Sequence, residues 1–159
     1  MEISRLDDRF REQVDRHIKE EWLGPMIVSR GNVFDSSTLP GLIAEEDGSL
    51  LGALLYRAEQ GECEIAILFS LKENQGTATS LIDVMLKDAR TMGIRRVWLV
   101  TTNDNAHAIR FYLRRGFSLK DVHIGGFEPA KRLKFGGVTP LGNDGIPILH
   151  EFEFEMLLS

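Results

Sequence analysis

An α/β fold built around one mixed sheet is what this sequence predicts, and three stretches carry the prediction. Between 41 and 70, three short apolar runs are separated by Glu46-Asp47-Gly48 and Glu59-Gln60-Gly61. Asp-Gly between apolar runs is a strong hairpin signal, so an antiparallel meander is expected. From 78 to 89, Ala78, Leu81, Ile82, Met85, Leu86 and Ala89 recur at i, i+3, i+4, i+7, i+8 and i+11, the stripe of an amphipathic helix. Arg96-Val97-Trp98-Leu99-Val100-Thr101 then reads as a strand buried on both faces. Strand, helix and strand in succession imply a parallel right-handed crossover, so the sheet is antiparallel early and parallel across that helix.

Taken in order, Ser4 followed by Asp7 resembles a capping box, and Leu6, Phe10, Val14, Ile18 and Trp22 mark one helical face. The chain is therefore expected to open on a helix that ends at Gly24-Pro25. His17 lies near that face, where packing or solvation accounts for it. Met26 to Ser29 reads as a short strand, and Gly31 to Pro40, rich in hydroxyls with Gly, Asn and Asp, as a loop. The meander strands are Leu42 to Glu45, Leu50 to Arg57 and Glu62 to Ser70. In the third, a period of two puts Cys63, Ile65, Ile67 and Phe69 on one face and Glu62, Glu64, Ala66 and Leu68 on the other. The long helix carries Asp83, Lys87, Asp88 and Arg90 on its polar face and stops at Gly93.

Beyond the buried strand, Thr101-Thr102-Asn103-Asp104-Asn105 offers capping side chains, and Ala106, Ile109, Tyr112 and Leu113 mark a helix that stops at Gly116. Phe117 to Ile124 is a strand whose apolar parity slips, the mark of a bulge. Gly125 to Pro147 is dense in Gly and Pro, with one or two helical turns at Lys131-Arg132-Leu133-Lys134. A connection of that length is usually functional or disordered. Glu151 to Met156 alternates strictly and predicts a strand with one buried and one solvated face.

The 159 residues suffice for one domain, 1–159, with a real core. A net charge of −5 argues against a general nucleic-acid binder. The single cysteine, Cys63, excludes an intrachain disulfide and a cysteine-built zinc site, and no metal is expected. A charged N-terminus and short apolar runs indicate neither export nor membrane insertion, which makes the cytoplasm the default. A homodimer is compatible with all of this.

The chemistry begins where the third strand passes through Lys72-Glu73-Asn74-Gln75-Gly76-Thr77-Ala78 into the long helix. Small residues after Gly76 leave the first backbone amides uncovered at the positive end of the helix dipole, an arrangement suited to anions. A Walker loop is excluded because no lysine follows Gly76, and a dinucleotide fingerprint because one glycine stands where three are needed. The spacing Glu73-x-x-Gly76-x-Ala78 instead resembles the Arg/Gln-x-x-Gly-x-Gly/Ala signature of the GNAT N-acetyltransferases. One strand later, Asn105-Ala106-His107-Ala108-Ile109-Arg110-Phe111-Tyr112-Leu113-Arg114-Arg115-Gly116-Phe117 is similar to the Asn-x-x-Ala-x-x-x-Tyr-x-x-x-Gly-Phe stretch of that family. The likeness covers about residues 62 to 120.

This resemblance implies a GNAT-like fold, a central mixed sheet with helices on both faces, and transfer of acetyl from acetyl-CoA to a primary amine. It also implies roles. Leu68 and Ser70 offer backbone groups to the pantetheine, and Gln75, Gly76, Thr77, Ala78 and Thr79 offer amides to the pyrophosphate. Asn105 bonds the pantetheine arm or holds splayed strands apart, and Tyr112 protonates the departing thiolate. An alkylamine is protonated at neutral pH, so a base is required. Glu62 and Glu64, on one face of the strand leading to the cofactor, are the candidates, with Glu64 nearer the thioester end. An unperturbed carboxylate takes that proton about 8 kcal/mol uphill, so burial or a late proton transfer must help. Glu73 departs from the family pattern: a carboxylate about 7 Å from a phosphate charge costs roughly 0.6 to 2.4 kcal/mol. The alternatives are a non-catalytic CoA-binding regulatory domain and a protein-interaction module. His107, His123 and His150 show no ligand pattern.

Overall fold

The structure, a computed structural model, describes residues 1–73 and 75–159; Asn74, within the loop singled out above, lies outside the described residues. The element order is β1 (Glu2–Arg5), α1 (Asp8–Glu21), β2 (Met26–Ser29), β3 (Asn32–Asp35), β4 (Gly41–Glu46), β5 (Ser49–Glu59), β6 (Glu62–Ser70), α2 (Thr77–Thr91), β7 (Arg96–Thr102), α3 (Ala106–Arg114), β8 (Ser118–His123), α4 (Glu128–Lys134) and β9 (Glu151–Leu157). Short 3₁₀ turns lie at Ser36–Thr38 and Asn143–Gly145. Strand order is β1-β4-β5-β6-β7-β9-β8, with β2 and β3 forming a separate ribbon. The chain packs as two compact units: Met1–Ile27, Asp35–Val97 and Leu157–Ser159 make the first, Val28–Phe34 and Trp98–Met156 the second.

In the first unit β1, β4, β5 and β6 pair antiparallel in sequence, joined after β4 by the expected tight turns. Asp47 and Gly48, then Gln60 and Gly61, all take positive φ, the backbone that two-residue hairpins need to match strand twist. Helix α2 buries Leu81, Ile82, Met85, Leu86 and Ala89, as its stripe predicts. It ends with Gly93 at φ 74, where Gly93 N donates to Arg90 O and Ile94 N donates to Ala89 O at 2.9 Å. These are the paired bonds of a left-handed cap. Connection through a helix to the neighbouring strand makes β6 and β7 a crossover pair. Val14, Ile18, Ile43, Leu54, Leu55, Ile67 and Val97 complete a core in which each fully buried side chain contributes about 1.5–3 kcal/mol.

The opening differs from the sequence expectation. Residues 2–5 form β1, with Ser4 opposite Ile43, and the Ser4 hydroxyl is buried rather than capping a helix. Four residues are too few to show a period, so only the partner strand reveals them. Asp7 is the cap of α1, accepting from Arg9 N at 3.1 Å. The expected loop 31–40 likewise contains β3, because Arg30 (φ 49) and Gly31 (φ 80) turn the chain back as a hairpin. The period of two in β6 is interrupted at Ala66: Leu55 faces Ile67 while Tyr56 faces Ile65, so Ala66 is the extra residue of a bulge.

In the second unit β8 and β9 pair antiparallel, with the predicted bulge at Lys120, between the register pairs Leu119↔Phe154 and Asp121↔Glu153. The region 125–147 is ordered around α4 and a bridge between Leu141 and Pro147. It is fastened by a polar clamp. Asn103 Oδ1 accepts from Leu149 N and His150 N at 2.9 Å each, and Asn103 Nδ2 donates to Pro147 O at 3.0 Å. Asp104, 4% exposed, accepts from Thr102 Oγ1 at 2.6 Å and from Asn143 N and Nδ2 at 3.0 Å. A side chain at 142 would fall on that carboxylate, so only glycine fits there. β9 corrects a further expectation: Glu151 and Glu153 are each 4% exposed, as buried as Phe154 on the opposite parity is apolar. Alternation marked two faces, but the face read as solvated is buried at Glu151 and Glu153 and only partly open at Glu155. Among the described residues no helix is long and apolar enough to cross a membrane.

Candidate active site

Gly76 precedes α2 in the left-handed conformation (φ 71), and among the described residues no side chain caps the helix. Ser80 N bonds Gly76 O at 2.9 Å, which leaves the amides of Thr77, Ala78 and Thr79 without intrahelical acceptors. Gln75 and Gly76 are exposed, while Thr77 is 2% exposed and its hydroxyl is buried with no hydrogen-bond partner. A buried unpaired hydroxyl costs about 1–3 kcal/mol, so it is unusual beside a row of open donors. Gly52 of β5 makes this geometry possible: a Cβ there would meet Phe69 O at 2.5 Å and Thr77 Cγ2 at 2.9 Å. Ser70, opposite Gly52, turns its hydroxyl to Lys72 O at 3.3 Å, and Leu68 lies opposite Leu54 just past the Ala66 bulge. Glu73 is exposed.

The two β6 glutamates are each held by an arginine. Glu64, 3% exposed, lies directly across from Arg57, whose Nη2 and Nε reach its Oε1 at 3.0 and 3.2 Å. Glu62, with 44% of its side chain exposed, pairs with Arg96 at 2.9 Å. Between them Cys63 is fully buried, and burial first, then the Glu64 charge, pushes its thiol up to about 12.

On α3, Asn105 is the N-cap, its Oδ1 accepting from Ala108 N at 3.1 Å. Tyr112 is buried in a ring cluster with Phe111, Phe117 and Phe154, at centroid distances of 5.3, 5.6 and 6.3 Å. Burial pushes its phenol well above the ordinary tyrosine range, so it carries its proton throughout neutral and moderately alkaline pH.

A further polar group has no counterpart in the sequence reading. The Glu153 carboxylate accepts from Arg30 Nη1 at 3.3 Å and lies 2.9 Å from His123 Nε2, and Glu151 Oε1 accepts from Arg30 N at 3.2 Å. The Arg30 guanidinium stacks on Trp98 at 3.9 Å from the ring centroid. Nothing local marks these residues: Glu151 and Glu153 alternate like solvated strand acids, Arg30 reads as a turn and His123 as a strand end.

The profile of the Acetyltransferase (GNAT) family matches residues 4–117. The Bacillus subtilis protein YxbD is 30% identical over 142 residues, covering 89% of each chain. Among solved structures, an IAA acetyltransferase from Bacillus cereus superposes with a TM-score of 0.74 at 14% identity, covering 99% of both chains. A GNAT family acetyltransferase from Elizabethkingia anophelis, solved with acetyl-CoA bound, gives 0.70 at 14% identity over 99% of this chain and 97% of the other. Both structural likenesses are in fold. With the family profile spanning the meander, the uncapped α2 and the Tyr112 helix, the chain belongs to the GNAT acetyltransferase family and is an acyltransferase.

Proposed function

We propose that this protein transfers the acetyl group of acetyl-CoA to a primary amine. The observation that carries the reading is the start of α2: open amides behind an exposed Gly76, with no capping side chain among the described residues and a buried hydroxyl on Thr77 that lacks a partner. Oriented donors at a helix N-terminus suit a diphosphate, because the dipole and the N–H groups both favour negative charge. In this reading Gln75 to Thr79 hold the pyrophosphate and Leu68 and Ser70 hold the pantetheine through their backbones. Asn105, beyond capping α3, has its amide nitrogen for the same arm. Tyr112 gives its proton to the thiolate as the C–S bond breaks; a phenol kept protonated by burial is suited to donate and unsuited to act as a base. On β6, Glu62 and Glu64 are the carboxylates for the amine's proton, each already engaged by a guanidinium.

The acyl acceptor is a primary amine in the neutral form at the moment of attack, and small molecules and peptides both qualify. The test is thiol release from acetyl-CoA in the presence of amine pools, with mass measurement of the product. A product heavier than its amine by one acetyl group, formed together with free CoA, is expected. A thermal shift with CoA but no thiol release would make this a CoA-binding protein without transfer, and no shift at all would remove the α2 assignment.

A further inference from the structure

The end of β6 presents a different chemistry on each face. Register pairs Gly52 with Ser70 and Ala53 with Phe69, so successive side chains point to opposite sides of the sheet. On the Gly52 side stands α2, whose Thr77 Cγ2 lies 2.9 Å from where a Cβ on Gly52 would be. On the other side the Phe69 ring meets α1. The His17 imidazole lies 4.0 Å from that ring at 34°, centroid to centroid. Trp22, the C-cap of α1, lies 6.4 Å from Phe69 and 6.5 Å from His17, at 55° and 66°. α1 and α2 therefore cover opposite faces of the strand end that the acetyl-transfer reading gives to the pantetheine.

Packing alone does not account for this aromatic group. His17 and Trp22 are only half-buried, and among the described residues the His17 ring has contacts with rings and no hydrogen bond. A leucine at 17 would serve a core without ring nitrogens to satisfy. Next along the chain, Leu23 takes the left-handed position (φ 57) that ends α1, and Gly24 N donates to Lys19 O at 2.9 Å. Glycine is the usual residue at that position, and a leucine there is strained. Its side chain is 56% exposed, so burial does not offset the strain. Strained residues that the surrounding structure holds in place cluster at ligand sites.

We propose that His17, Trp22 and Phe69 form the subsite for the acceptor's carbon body, and that the acceptor is a primary amine carried on a flat apolar group, an arylalkylamine; this rests on the acetyl-transfer reading above. With the diphosphate drawn to the start of α2 on one face, the α1 face is the side of β6 left for the amine. Rings take a flat apolar body edge to face or offset, and their negative faces favour an ammonium that arrives before it loses its proton. An extended polyamine has the charge but not the flat body, so it gains less.

The test is thiol release from acetyl-CoA with phenethylamine, n-butylamine and spermidine as probes. Phenethylamine is expected to exceed the other two in kcat/KM by about tenfold, the equivalent of one or two aromatic contacts. His17→Leu and Trp22→Leu are each expected to raise the KM for phenethylamine by about tenfold, and that for n-butylamine by less, with kcat and the KM for acetyl-CoA held. A measurement on the intact rings accompanies these variants: in a Trp98→Phe background, Trp22 emission with CoA bound should change on adding phenethylamine and not on adding spermidine. Equal kcat/KM for the three amines, an unchanged KM for phenethylamine in both variants, or Trp22 emission indifferent to phenethylamine would overturn this subsite while leaving acetyl transfer intact. Absence of thiol release with all three amines would overturn the acetyl-transfer reading and the subsite together.

Discussion

Tyr112 shows how a residue's packing and its chemistry can be separated. Its contacts are to rings, so Tyr112→Phe keeps the cluster with Phe117 and Phe154 while removing only the hydroxyl. Turnover is expected to fall at least several-fold with acetyl-CoA affinity unchanged, measured by steady-state kinetics beside calorimetry; an unaltered rate would remove the acid role. Glu64 poses the converse question. It faces Arg57 across two strands and is almost wholly buried, so Glu64→Gln should destabilise the fold by about 1–3 kcal/mol in urea unfolding. A variant that loses rate but no stability would instead assign this carboxylate to proton transfer. At this scale the sequence was informative where a motif names a position, as for Tyr112 and Asn105. It read Glu151 and Glu153 as solvated strand acids, found no ligand pattern at His123 and passed over Arg30; these residues are separated by up to 123 positions along the chain and gain meaning only as neighbours.

Among elements, α2 was the most legible, because its stripe, its bare start and Gly93 are all local properties of consecutive residues. What could not be read there is the reason the start is available: Gly52, more than twenty positions earlier, removes the side chain that would collide with Phe69 O and Thr77. The exposed Glu73 lies in the turn that precedes this helix. Replacing it by Gln or Arg should tighten acetyl-CoA binding by about 3-fold to 60-fold, the equivalent of the roughly 0.6 to 2.4 kcal/mol Coulomb cost. Titration calorimetry checks this, and no change or a loss would mean the carboxylate points away from the phosphates. The short strands β1 and β3 were invisible for the opposite reason. Four residues hold too little pattern to distinguish a strand from a cap or a loop, and it is pairing that makes them strands.

For the molecule as a whole, the buried thiol links stability to pH. Unfolded cysteine titrates near 8.5, whereas in the fold Cys63 is pushed up to about 12, so between those values the native state holds the extra proton. Stability therefore falls as pH rises through that window, by up to about 1.4 kcal/mol per unit. Cys63→Ala should flatten the alkaline slope of unfolding free energy, the remainder belonging to Tyr112 and Tyr56, whose phenols burial also raises. An identical slope in both proteins would contradict this account. Residue order by itself determined the α/β class, the meander, the crossover helix and the two family motifs, because each is written in spacings within a few residues. Tertiary structure decided which charged side chains are buried and whom they face: that Glu64 belongs to Arg57, that the β9 glutamates lie inside, and that His123 meets Glu153. Burial and partnership arise from strands brought together over long separations, and no periodicity along a single strand records what will cover it.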